Sequence, residues 1–72
     1  MNTVNKITEL MSETGFEIVS YGLAPNPNGF CYEVPYERSM DLKARTMMDR
    51  LLDDLTRAEE EELKALVFGG DL

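Results

Sequence analysis

Phe16-Glu17-Ile18-Val19-Ser20-Tyr21 and, eight residues further on, Phe30-Cys31-Tyr32-Glu33-Val34 decide the fold class of this chain. Both segments are rich in aromatic and β-branched residues and are too short and too abruptly bounded for helices, so both read as strands. In the second, Phe30, Tyr32 and Val34 alternate with Cys31 and Glu33. A strand turns successive side chains to opposite faces, which puts the first three on one face, expected to be the buried one. Between the strands lies Gly22-Leu23-Ala24-Pro25-Asn26-Pro27-Asn28-Gly29. Its prolines cannot donate to a ladder and its Asn-Gly pair suits positive φ angles, so the expectation is an antiparallel hairpin with a long exposed loop that offers a contact point.

Upstream, Val4, Ile7, Leu10 and Met11 recur at steps of three and four, while Lys6, Glu9 and Glu13 face away. This spacing predicts an amphipathic helix over 3–14, with Thr3 as its N-cap and Gly15 as its left-handed stop. Downstream, Pro35 ends the second strand and Ser39 suits the cap of a helix over 40–55. Met40, Ala44, Met47, Met48, Leu51, Leu52 and Leu55 form its apolar stripe. Thr56 followed three positions on by Glu59 matches a capping box, which places a new helix start there, running through Leu63, Leu66 and Val67 to a stop at Gly69-Gly70. The alternative is one continuous helix with Thr56 inside it.

The order helix, strand, strand, helix, helix defines an α+β fold in a single small acidic domain over 1–72, with a two-stranded antiparallel hairpin packed against helices. Two strands alone make a marginal sheet. They need helices across one face or strands from a second copy across an edge, so a homodimer is a structural expectation.

Composition narrows the chemistry. The 72 residues carry a net charge of −7, 43% hydrophobic residues and no His. Seven Lys and Arg against fourteen Asp and Glu make direct binding to a phosphate backbone unfavourable. The lone Cys31 cannot form an internal disulfide and has Glu33 nearby rather than a cation, so it reads as a structural cysteine in a reducing, cytoplasmic setting. No stretch approaches a membrane span and the N-terminus lacks signal-peptide character. With no His, the commonest general base and metal ligand are missing, and no glycine-rich phosphate loop or calcium loop is present. The chain is therefore read as non-enzymatic, with no cofactor. Asp49 and Asp53, at i, i+4, carry the contrary reading of a small metal-dependent enzyme. Local pairing with Arg45, Arg50 and Arg57 weakens that reading.

What remains is binding. Glu59-Glu60-Glu61-Glu62 stands in the first turns of the last helix, where carboxylates favour the dipole and Glu60 is spaced to pair with Lys64. With Asp53 and Asp54, the residues Glu59, Glu61 and Glu62 form an anionic strip able to dock on a basic groove of another protein. Such a strip imitates a nucleic-acid backbone, so the expected partner surface is a basic, nucleic-acid-binding one. The analogy is to small acidic inhibitors encoded by phages and mobile elements, and it rests on size and charge alone. Tyr21 and Tyr36, at strand ends, complete the candidate partner-binding set, because tyrosine combines apolar area with a polar tip. The alternative is a self-associating assembly component built on the hairpin edge or the Met-rich helix.

Overall fold

The computed structural model describes residues 2–22, 29–38 and 41–69. In order come α1 (Thr3–Thr14), β1 (Glu17–Tyr21), β2 (Phe30–Glu33), a 3-10 turn (Tyr36–Arg38), α2 (Leu42–Asp53) and α3 (Arg57–Phe68). This is the α-β-β-α-α domain expected from sequence, with β1 and β2 antiparallel in a two-stranded sheet. The expected loop residues Leu23 to Asn28, the Ser39 cap, Met40 and Gly70 lie outside the described residues.

Asn2, not Thr3, caps α1: its side-chain oxygen accepts from the Asn5 N–H at 2.9 Å. Both residue types cap well, and Asn2 sits one step earlier, where it reaches the third helical amide. At the other end Gly15 takes φ 83° and donates its N–H to the Met11 carbonyl at 2.8 Å. A side chain here is barred twice, by the positive φ and because a Cβ would stand 2.9 Å from Cγ of Pro35. The Thr14 hydroxyl donates to the Leu10 carbonyl at 2.7 Å and accepts from the Phe16 N–H at 3.3 Å, which sets the exit of the chain into β1.

The hairpin register pairs Glu17 with Glu33, Ile18 with Tyr32, Ser20 with Cys31 and Tyr21 with Phe30, with a shift between Ile18 and Ser20. Val19 is thus the extra residue of a β-bulge. The shift changes the phase of the strand: strict alternation from Ile18 would turn Tyr21 to solvent, whereas the bulge brings it opposite Phe30, on the inner face. Ile18, Tyr21, Phe30 and Tyr32 therefore share the face that meets the helices, and Val19 is left 44% exposed. Beyond the strands, Gly22 donates to the Gly29 carbonyl at 2.8 Å, closing the base of the loop.

Asp41 caps α2 by accepting from the Ala44 N–H at 3.1 Å, so this helix starts two residues later than the sequence suggested. Asp41 is the cap residue next to the apolar stripe, and Tyr36–Arg38 upstream form the short 3-10 turn. Ala44, Met48 and Leu52 are buried, as their spacing requires. The helix stops at Asp53, where the Asp54 N–H donates to the carbonyls of Arg50 and Leu51 at 3.1 and 3.2 Å. The capping box then starts α3: Thr56 Oγ1 accepts from the Glu59 N–H at 3.1 Å, and Glu59 Oε1 accepts from the Thr56 N–H at 3.0 Å. Gly69, at φ 74°, ends α3.

The core joins Val4, Ile7 and Leu10 of α1 and Phe16 and Ile18 from β1 and its approach. Phe30 of β2, the buried stripe of α2 and Leu63 of α3 complete it. Helices cover the inner face of the sheet, one of the two ways a two-stranded sheet is stabilised. Among the described residues no helix is long and apolar enough to cross a membrane.

Candidate functional site

The capping box and the break before it place the acidic residues around one corner of the fold. Asp53 closes α2, Asp54 is its C-cap, and both are exposed. The C-terminal end of a helix carries partial negative charge, so carboxylates here oppose the dipole rather than serve it. After the corner, Glu61 and Glu62 project from α3 into solvent. No polar or charged side chain is buried among the described residues, and of this group Glu61 is paired with Lys64 at 3.2 Å.

Glu59 behaves differently. One carboxylate oxygen closes the capping box, and the other accepts from the backbone N–H of Thr3 at 3.3 Å. The amide of Thr56, joined by that of Thr3, holds the Glu59 carboxyl below its ordinary value. Within the proposed strip, Glu59 is thus the half-buried member that ties the start of α3 to the start of α1.

Tyr21 is drawn into the fold by the bulge. Its ring lies 4.6 Å from that of Phe30, its hydroxyl donates to Glu60 Oε1 at 2.9 Å, and Lys64 Nζ stands 4.2 Å over its face. The Glu60 carboxylate, with some burial, raises its pKa above the usual tyrosine value. With Glu60 engaged this way, Lys64 pairs with Glu61 at 3.2 Å instead of with Glu60. Tyr36 stands in the 3-10 turn with 92% of its surface open, the most exposed large apolar-bodied side chain described.

Tyr32 makes the second anchor of the hairpin, one that sequence reasoning assigned only to the core. Its hydroxyl donates to Asp49 Oδ1 at 2.8 Å, and its ring stacks on Phe16 with centroids 5.6 Å apart. Burial first, then the Asp49 carboxylate, pushes its pKa up to about 12. Asp49 therefore serves α2–hairpin docking, and Asp53, one turn on, is exposed. Among the described residues no three His, Cys, Asp or Glu side chains are grouped as a metal ion would need. Cys31 is half-buried on the other face of β2 from Phe30 and Tyr32.

A groove of about 240 Å³ opens between α1 and α2, lined by Lys6, Glu9, Leu10, Glu13, Met47 and Leu51. It is smaller than the roughly 300–1,000 Å³ of typical small-molecule sites. Sequence reasoning assigned Met47 to the core, yet it lies 46% exposed at the groove. The signal was present in the sequence, since Met47 begins a second row beside the buried Ala44, Met48 and Leu52.

No family model, no curated protein and no solved structure matches the chain.

Proposed function

We propose that the chain is a non-enzymatic protein-interaction module, an inhibitor or regulator that engages a basic surface of another protein through the acidic corner of α2 and α3. The observation that carries this reading is the placement of Asp53 and Asp54, exposed at the negative end of α2. Selection for helix stability alone favours cations at that position. Glu62 extends the same potential along α3, where Glu61 is partly offset by Lys64, and a cationic patch on a partner would complement it. A nucleic-acid-binding site is the basic surface such a strip resembles in charge.

The test compares the tagged chain with a variant carrying Asp53→Lys, Asp54→Lys, Glu61→Lys and Glu62→Lys, each used to capture proteins from host lysate at low and at high salt. The expected result is a nucleic-acid-processing protein retained by the native chain, released by salt and missed by the variant. Equal retention by the variant at low salt would sink the reading.

A further inference from the structure

We infer that the groove between α1 and α2 is a docking site for a cationic amphipathic helix of a partner protein, which seats one or two apolar side chains on Leu10, Met47 and Leu51. This adds a second contact to the acidic-binder reading, on different residues.

Three observations converge on that occupant. The groove has an apolar floor, with Leu10 and Leu51 beneath and the half-open Met47 at its side, and methionine adapts its shape to an incoming side chain. The lining positions Lys6, Glu9, Leu10 and Glu13 step by three, one and three along α1, a single stripe of about 10 Å. Two turns of a partner helix match that length, in the helix-in-groove mode with anchors one turn apart.

Charge then selects the partner. Glu13 lies in the last turn of α1, at its negative end, that turn holds no basic residue, and Glu9 stands one turn before it at the unfavourable like-charge spacing i, i+4. Glu13 runs against the helix dipole, and Lys6, Glu9 and Glu13 are all exposed. Among the described residues no ion pair joins Lys6 to either glutamate. A helix that gives up local electrostatic stability along the rim of an apolar groove is locally inconsistent in the way interaction sites are. Lysines or arginines on the ligand opposite Glu9 and Glu13, with a carboxylate opposite Lys6, restore the balance.

The experiment titrates the full chain with a synthetic peptide of about three helical turns. The peptide carries leucines at i, i+4, lysines beside them at one end and a glutamate at the other, and amide and methionine-methyl NMR signals are followed. The expected result is saturable shifts at Leu10, Glu13, Met47 and Leu51. Met47→Glu, at an exposed position that leaves the core intact, should lose on the order of tenfold in affinity. Glu9→Gln with Glu13→Gln should weaken binding and flatten its salt dependence. A peptide with glutamates in place of the lysines should leave the groove signals unmoved. The inference is overturned if that acidic peptide binds equally well, or if the lysine peptide gives no saturable shifts. It is also overturned if shifts appear only at Asp53, Asp54, Glu61 and Glu62, a pattern that would leave the acidic-corner reading standing.

Discussion

The Glu59 carboxylate accepts the backbone amide of Thr3 across 3.3 Å, although 56 positions separate the two residues. The same side chain closes the capping box with Thr56, so one carboxylate serves the starts of two helices. Glu59→Gln keeps the shape and removes the charge, and it should lower the thermal midpoint at neutral pH. Because the folded-state pKa of Glu59 is depressed, its contribution is present above the ordinary value of 4.5 and is lost as pH falls through the lower folded value. Native protein should therefore lose stability in acid more steeply than Glu59→Gln, as read from urea midpoints across that range. Thr56→Ala, which removes the reciprocal cap, should cost about 1 kcal/mol.

Tyr32 provides the alkaline counterpart. Its folded pKa of about 12 exceeds the ordinary 10.0, so its contribution is full below pH 10 and is lost as pH rises towards 12. Denaturation midpoints of the native chain should fall across that window, with Tyr21, shifted in the same direction, adding to the fall. Tyr32→Phe should be less stable at neutral pH by about 0.5–1 kcal/mol, the low end for a bond open to solvent, and should show a shallower alkaline decline.

Glu17 and Glu33 oppose each other directly in the hairpin, both exposed. Like charges at paired positions weaken a ladder, and opposite charges strengthen it. Glu33→Lys should raise stability by about 0.2–1 kcal/mol at low ionic strength, with a smaller gain in high salt.

Phe30 is fully buried, the residue of β2 on which Tyr21 packs. Phe30→Ala should cost about 3–5 kcal/mol, comparable to the whole stability of a domain this small. The variant should be unfolded at room temperature, with collapsed amide dispersion and lost far-ultraviolet ellipticity.

The elements were legible where a single residue type is nearly obligatory. Gly15 and Gly69 marked helix ends because few other residues take positive φ, and Thr56 with Glu59 marked a start because the box needs that spacing. Less legible were boundaries where two good caps compete, as Asn2 does with Thr3. The bulge at Val19 was not legible, since no Gly or Pro punctuates the strand and the shift is settled by where Tyr21 finds Phe30 and Glu60. The same tertiary choice turned Lys64 from Glu60 to Glu61. Of the candidate residues, sequence placed Asp53, Asp54, Glu61 and Glu62 on the surface through helical phase alone. The double service of Glu59 depends on how α1 meets α3, which no local pattern encodes.

The inclusion of Leu63 in a core otherwise built from residues 4–52 governs when this molecule can form. As the chain leaves the ribosome, α1 and the hairpin emerge with their apolar faces bare, and among the described residues the last fully buried side chain arrives only with α3. Contacts between such distant positions carry the loop-closure cost that slows folding. The emerging chain should therefore stay sensitive to proteases and holding chaperones until α3 is free to dock, then close in one cooperative step.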